Sequence, residues 1–146
     1  MNLFKGMYDM KNWLIALCIL PCLSAATEDS VDCENPYTTL DINYCAGREL
    51  EEAEAMMEQY YKASLKQQEE DLEVVDAIKL SQHDWLQYRE SYCDAIYSQW
   101  REGTIRGVMH LSCQKRLTQQ RTYNLWSDFL TYMDSTEPVL PEPVFN

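Results

Sequence analysis

Apolar side chains recur every three or four positions along three stretches of the chain, which is the spacing of one helix face. In the first stretch, residues 38–66, the side chains predicted to face inward are Ile42, Cys45, Ala46, Ala53, Met57, Tyr60 or Tyr61, and Leu65. In the second stretch, residues 72–100, they are Val75, Ile78, Trp85, Tyr88, Tyr92 and Ile96. In the third stretch, residues 108–132, they are Leu111, Leu117, Leu125 and Phe129. The pattern predicts three amphipathic helices.

Two local signals mark helix ends. Thr38 is followed three residues later by Asp41, which fits a capping box, so we expect the first helix to begin at Thr38 or Thr39. Gly103 and Gly107 mark the loop between the second and third helices. The first helix therefore has a defined start, and the last two form a predicted hairpin.

The turn between the first two helices is inferred from an interruption of the apolar stripe. The run Lys66–Asp71 is entirely polar but contains neither Gly nor Pro. The alternative is one helix over residues 39–100, which would be roughly 90 Å long. A monomer could not cover such a helix, so we favour a hairpin. The predicted fold class is all-α, a three-helix antiparallel bundle.

The N-terminal region, residues 1–26, has the pattern of a signal peptide. Lys11 supplies a positive charge, residues 13–23 an apolar core, and Ser24-Ala25-Ala26 a small-residue cleavage site. The start of the reading frame stays open between Met1, Met7 and Met10. We therefore expect a secreted or periplasmic protein.

The apolar run is shorter than the roughly 20 residues that span a bilayer, so we expect no stable membrane span after cleavage. Lipidation ranks below simple secretion, because Leu17 precedes Cys18 and Pro21 precedes Cys22 where small residues would be needed. Beyond the signal peptide we expect an extended lead-in over residues 27–37 and a helical domain over residues 38–132. A Pro-rich tail, residues 133–146, is expected to be extended or disordered.

The charge of the chain is strongly negative. Twelve Lys and Arg stand against 24 Asp and Glu, for a formal net charge of −12. Cleavage after Ala26 removes Lys5, Lys11 and Asp9, which makes the charge of the remaining chain −13. Nucleic acid is excluded as a natural partner, because phosphates require a basic surface. A basic protein is the electrostatic complement.

Four cysteines remain after cleavage: Cys33, Cys45, Cys93 and Cys113. The last two are each ten residues from Gly103, so an antiparallel helix pair folded there brings them to the same height. The first two are similarly placed around Thr39. We predict the bridges Cys33–Cys45 and Cys93–Cys113. A zinc site is the weaker alternative, because no C-x-x-C spacing occurs among the four.

One segment of the second helix, QHDWLQYRESYC, combines a large aromatic ring with a cation in the apolar seam. Arg89 follows Trp85 by one turn. A buried guanidinium requires a partner, and we expect that partner to be Glu54. The alternative is that Trp85 and Arg89 form a binding hot spot. We favour the internal anchor, because both share the predicted seam with Tyr88 and Tyr92.

The same segment carries a family resemblance. The string Gln-x-x-Trp-x-x-Tyr-Arg-x-x-x-Cys is matched by Gln82, Trp85, Tyr88, Arg89 and Cys93. Weaker matches are Cys45, Ala53-Glu54, Met57-Glu58-Gln59-Tyr60-Tyr61, Gly103, Cys113, Leu117-Thr118, Arg121 and Leu125. Over residues 33–130 the sequence resembles the lysozyme inhibitor LprI family of small secreted bacterial domains. The resemblance implies an all-helical, disulfide-bonded domain and, for some members, lysozyme inhibition.

Enzymatic chemistry and cofactors are not expected. His83 and His110 are the only histidines, and the four remaining cysteines are assigned to bridges. Ser81 is two positions from His83, and residues two apart on a helix do not face each other. The expected activity is therefore binding, with a basic lysozyme as the expected partner. The alternative is a structural module of the cell envelope that holds a partner protein or peptidoglycan and inhibits nothing.

Two surfaces are candidates for contact with a target. The first is the acidic face of the first helix: Glu49, Glu51, Glu52 and Glu58. The second is the loop Arg101–Gly107, with Arg101, Glu102, Gly103 and Thr104. The two arginines of the loop suit a basic target poorly, and the sequence does not choose between the surfaces.

Overall fold

The computed structural model describes residues 31–145, and within that range the secondary structure consists of three helices. They are α1 (Thr39–Gln67), α2 (Leu72–Gln99) and α3 (Arg106–Phe129). The predicted all-α class is confirmed, and each helix end lies within three residues of its predicted position. The predicted signal peptide lies outside the described residues. No helix between residues 31 and 145 combines the length and apolar character that a membrane crossing requires.

Side-chain caps define the starts of α1 and α2. Thr38 Oγ1 accepts from the backbone N–H of Asp41 at 3.1 Å, and Asp41 Oδ2 accepts from the N–H of Thr38 at 2.8 Å. The predicted capping box is therefore present, and its hydrogen bonds lower the pKa of Asp41. Asp71 Oδ1 caps α2 by accepting from the N–H groups of Glu73 and Val74. The second helix therefore begins at a capping aspartate, and the polar run separates the two helices without Gly or Pro.

Helices α1 and α3 lie side by side and run in the same direction. Asn43, near the start of α1, lies against Gly107, near the start of α3. At the other end of the two helices, Nε2 of Gln67, the last residue of α1, donates to Oη of Tyr132, which follows α3, at 3.1 Å. A Cβ atom at Gly107 would collide with the Asn43 side chain, so the missing side chain permits this close approach.

Helix α2 runs antiparallel to α3, as the sulfur spacing predicts. Both predicted disulfides are present, Cys33–Cys45 and Cys93–Cys113. The second joins α2 to α3 with a Cα–Cα distance of 5.7 Å. A hydrogen bond also joins α3 to α2, because Arg121 Nε donates to Gln82 Oε1 at 2.9 Å. Because α3 packs against both α1 and α2, it is the central helix of an up-down-up arrangement.

The core lies along α3. Its buried apolar cluster consists of Met57, Tyr60, Leu125 and Leu130. Thr118 and Thr122 of α3 are fully buried, which the apolar pattern did not predict. Thr122 Oγ1 donates to the backbone carbonyl of Thr118 at 2.9 Å, so the hydroxyl is satisfied within its own helix. Short side chains at these positions suit a helix that has neighbours on two sides.

The prediction that Tyr88 and Tyr92 face inward is wrong. Tyr88 is 52% exposed, Tyr92 is 41% exposed, and their rings lie against each other on the surface with centroids 5.6 Å apart. The buried positions of α2 are Val75, Ile78, Gln82 and Cys93. At about 100° per residue, Tyr88 lies roughly 120° from the centre of that seam. The three- and four-residue spacing from Trp85 extends away from the seam rather than along it.

Residues 139–145 of the C-terminal tail have no regular secondary structure and lie against the helical domain. The backbone N–H of Val139 donates to the carbonyl of Leu130 at 2.8 Å. Tyr60 Oη donates to the carbonyl of Pro141 at 2.7 Å, and Pro143 is buried. Proline content is compatible with packing because a docked, irregular segment needs few backbone donors.

Replacing Cys93 and Cys113 together by Ala is expected to lower the free energy of unfolding by about 3 kcal/mol, since the bridge closes a loop of 20 residues in the unfolded chain. Urea denaturation followed by circular dichroism measures the change. Ser112→Ala, at an exposed neighbouring position, serves as the control. An unchanged unfolding midpoint in the double variant would contradict this prediction.

Candidate protein-binding surfaces and the Arg89 network

One guanidinium connects all three helices at the middle of the bundle. Arg89 Nη1, on α2, donates to Glu54 Oε1 on α1 at 2.7 Å. The same nitrogen donates to Thr118 Oγ1 on α3 at 2.8 Å. The Arg89 side chain is 13% exposed, while that of Glu54 is 40% exposed. Water therefore screens one side of the pair and reduces its strength.

The Trp85 ring completes the environment of this cation. The guanidinium carbon of Arg89 lies 5.2 Å from the ring centroid, within cation–π range. Arg89 Nε is buried and has no hydrogen-bond partner among the described residues. The ring and the cation thus contact each other inside the bundle, and Trp85 is half-buried. This geometry favours an internal anchor over a hot spot for a partner.

A second arginine, Arg121 on α3, lies in the seam between α2 and α3. Its Nε donates to the buried Gln82, and its Nη2 donates to Ser81 Oγ at 2.9 Å. Burial lowers the pKa of Arg121. Gln82 Nε2 also points at Met57 Sδ, 3.2 Å away on α1. Gln82 is therefore a polar link between helices, which explains a glutamine at a buried position.

An open groove of about 520 Å³ lies between α1 and α2, which pack less closely against each other than either packs against α3. The residues that line it are Glu54, Met57, Glu58, Tyr61, Lys79, Gln82, His83, Leu86 and Arg89. The other histidine, His110, lies elsewhere, with Nδ1 3.1 Å from the carbonyl of Cys93. Within residues 31–145, no three His, Cys, Asp or Glu side chains are grouped so as to hold a metal ion.

Most acidic side chains predicted as target contacts on α1 already have a cationic neighbour. The pairs are Glu49 with Lys115 at 2.7 Å, Glu51 with Arg48 at 3.5 Å, and Glu58 with Lys62 at 3.1 Å. Glu52 is exposed, and it has no ion pair among the described residues. The acidic face of α1 is thus largely compensated by its own surroundings.

The loop predicted as the other contact surface is a series of turns. Arg101 Nε lies 3.3 Å from Glu102 Oε1, and both side chains are exposed. The backbone N–H of Gly103 donates to the carbonyl of Trp100 at 2.9 Å, and Thr104 is exposed. At the loop's far end, the Arg106 guanidinium lies 5.0 Å from the centroid of the Tyr97 ring. This end of the molecule therefore presents aromatic and basic groups.

The opposite end of the bundle carries an acidic surface that the sequence analysis did not single out. We name as the acidic turn the exposed residues Glu69, Glu70, Asp71 and Glu73. Within residues 31–145, none of the four has a Lys, Arg or His nitrogen within 4.0 Å. Leu72, in the middle of the turn, is 72% exposed. The run Lys66–Asp71 carries the signal for this surface in the sequence, because three carboxylates stand there beside one lysine.

Comparison with known proteins finds a matching family model and a curated relative. The family described as "Lysozyme inhibitor LprI" has a model that matches residues 32–125, about two thirds of the chain. A curated relative, "Uncharacterized protein R02472" of Rhizobium meliloti (strain 1021), is 27% identical over 124 residues. That alignment covers 75% of this chain and 89% of the relative. No solved structure matches the chain.

A double-mutant cycle on Arg89 and Glu54 tests the network that connects the helices. Arg89→Ala is expected to lower the free energy of unfolding by about 3 kcal/mol, since it leaves a cavity and unpaired groups. Glu54→Ala is expected to cost about 1 kcal/mol because that carboxylate is partly solvated. The coupling energy is expected to be about 1 kcal/mol.

Glu58→Ala is the matched control, because Glu58 forms only a surface pair with Lys62 on the same helix. It is expected to cost less than about 0.5 kcal/mol. A coupling energy near zero between Arg89 and Glu54 would mean that the two side chains act independently, contrary to the network described here.

Proposed function

The chain belongs to the LprI family of lysozyme inhibitors, and from that membership we propose that it is an exported inhibitor of a basic lysozyme. It acts by binding the enzyme protein to protein, without cofactor or catalysis. The family match is the observation that carries this proposal. It covers both helix-linking disulfide cysteines and the Arg89 network.

Export to an oxidising compartment is consistent with the covalent structure. Two disulfides join the described cysteines, and such bonds persist outside the cytosol. The signal-peptide pattern of residues 1–26 points the same way. We therefore propose a periplasmic or secreted location, where the protein would meet a lysozyme that attacks the cell wall.

Electrostatic attraction is the second element of the proposal. The chain carries a formal net charge of −12, and animal lysozymes are typically basic. Opposite charges accelerate the encounter of two proteins, and this acceleration falls as salt screens the field. Burial of apolar side chains at the contact must then supply the lasting affinity.

Among the charged surfaces, we propose that the acidic turn leads the approach to the enzyme. Its four carboxylates lack ion-pair partners within the described part of the chain, whereas Glu49, Glu51 and Glu58 on α1 each have one. The exposed Leu72 supplies an apolar side chain at the centre of the turn. Glu52 and the loop residues Arg101 to Thr104 remain weaker candidates for the contact.

The alternative function, a module that holds another envelope protein, would use exposed aromatic residues as one patch. Tyr97 and Trp100 lie at the loop end of the bundle, whereas Tyr132 lies at the opposite end, beside Gln67. Trp126 is half-buried against the tail. Because these rings are divided between the two ends, the aromatic count does not favour this alternative over inhibition.

A turbidity assay tests the proposed activity directly. Purified mature protein is mixed with lysozymes of several types, and the clearing of a bacterial cell suspension is followed. We expect clearing by at least one basic lysozyme to slow in proportion to the added protein, and the inhibition to weaken between low and physiological ionic strength. Unhindered clearing with every lysozyme at excess inhibitor would reject inhibition.

Charge-neutralising variants test which surface faces the enzyme. Combined Glu69→Gln, Glu70→Gln and Glu73→Gln is expected to raise the inhibitor concentration needed for half inhibition by about tenfold at low salt. Asp71 is left in place because it caps α2. The matched control, combined Glu51→Gln, Glu52→Gln and Glu58→Gln, removes the same charge from α1 and is expected to change it by less than threefold. The reverse ranking would move the contact to α1.

A further inference from the structure

The tail lies in a groove between α1 and α3 that contacts it through two aromatic donors. Trp126 Nε1 donates to the carbonyl of Leu140 at 3.1 Å, and Tyr60 Oη donates to the carbonyl of Pro141 at 2.7 Å. Two consecutive backbone carbonyls are thus held by side chains from two different helices. Burial raises the pKa of Tyr60, so its hydroxyl remains a donor throughout the neutral range.

Apolar contacts complete the site. Leu140 packs against the core cluster that contains Leu130, and Pro143 is buried. Further along, Val144 and Phe145 line an opening of about 250 Å³ over α1 and α3. The apolar anchors of the tail are therefore Leu140 and Pro143, and the chain beyond them borders open space.

The path of the tail along α1 shows that it is extended. Pro141 lies against Tyr60, and Phe145 lines the same opening as Ala53. Seven residues of helix span about 10 Å. Four residues of chain cover that distance at about 2.5 Å each, which is more than the roughly 1.5 Å rise of a helix and requires a stretched, non-helical path. The groove thus accepts an extended peptide that runs toward the start of α1.

The recognition does not depend on side chains peculiar to the tail. In both hydrogen bonds a backbone carbonyl of the tail is the acceptor, and Leu140 and the buried Pro143 supply the apolar contacts. Aromatic grooves that bind proline-containing segments use this chemistry, because such segments are pre-ordered and lose little entropy on binding. Glu142, between the two prolines, is exposed. Another chain with the pattern Leu-Pro-x-Pro could make the same contacts.

The connection between the helical domain and the tail is exposed. Residues 132–138 are exposed throughout and form a linker. The docked part of the tail begins at Val139, whose backbone N–H donates to the carbonyl of Leu130. The groove and its occupant are therefore separate parts of the chain, joined by a linker.

From these observations we infer that the α1–α3 groove is a binding site for an extended, proline-containing peptide of another protein, and that the chain's own tail covers it. A tethered tail has a high effective concentration, so a foreign peptide must compete with it. The site is distinct from lysozyme inhibition and does not depend on the proposed function.

The test detaches the tail in the full-length mature chain. Leu140→Asp with Pro143→Asp places carboxylates where the groove is apolar, while Met133→Asp with Ser135→Asp adds the same charge in the exposed linker and serves as the control. The probe is a fluorescein-labelled synthetic peptide of residues 137–146, and its fluorescence anisotropy reports binding. We expect the detached variant to bind it at least tenfold more tightly than the control does.

Two further measurements make the result specific. A peptide with Pro141 and Pro143 replaced by Ala is expected to bind at least fivefold more weakly. Adding Trp126→Phe to the detached variant removes one donor but keeps a ring, and it too is expected to weaken binding at least fivefold. Equal binding to the detached variant and the control, or no binding to a detached variant whose circular dichroism remains helical, would overturn the inference.

A protease site offers a test that does not need the detached variant. The site is placed between Asp134 and Ser135, in the exposed linker, and is cut after folding. We expect the severed tail to remain bound and to exchange for labelled peptide, which then co-elutes with the protein in size-exclusion chromatography. A tail that is retained without exchange, or lost without rebinding of the peptide, would contradict the proposed site.

Discussion

The arrangement of the bundle depends on the burial of one positive charge. Arg89 is largely removed from water, and its Nη1 is shared between Glu54 on α1 and Thr118 on α3. An unpaired guanidinium at this place would be costly, so the three helices are favoured only in a register that brings these groups together. The Cys93–Cys113 bridge holds α2 and α3 in that same register about one turn away. A covalent and an ionic constraint therefore specify a single alignment.

Much of this arrangement could be predicted from the sequence because it rests on spacing. Helical periodicity, the Thr38 cap and cysteines equidistant from Gly103 are local features, and each has one simple structural consequence. The width of the buried face of a helix cannot be predicted from spacing in this way, since it depends on which other helices pack against it. Tyr88 therefore faced outward against expectation, while Thr118 became buried because α3 has a helix on two sides.

The binding surfaces could be predicted less well, for two physical reasons. The free charge of an acidic residue depends on whether a cation from another helix reaches it, as Lys115 reaches Glu49 across the bundle. No sequence pattern records that contact. A proline-rich tail has the same composition whether it is disordered or docked. Docking here depends on donors from the helices, Tyr60 and Trp126, which lie outside the tail in the sequence. The acidic turn and the tail groove therefore emerge only in three dimensions.

The linker to the tail lies at the same end of the molecule as the acidic turn. The linker begins just past α3, where Tyr132 accepts a hydrogen bond from Gln67 immediately before the acidic turn. It carries Asp134 and Glu137, both exposed. The hydrogen bond from Val139 N–H to the carbonyl of Leu130 fixes the far end of the linker to the end of α3. While the tail is docked, the linker carboxylates therefore stay near the acidic turn. A linker released at its far side would spread the same charge over a larger volume, which weakens the local field.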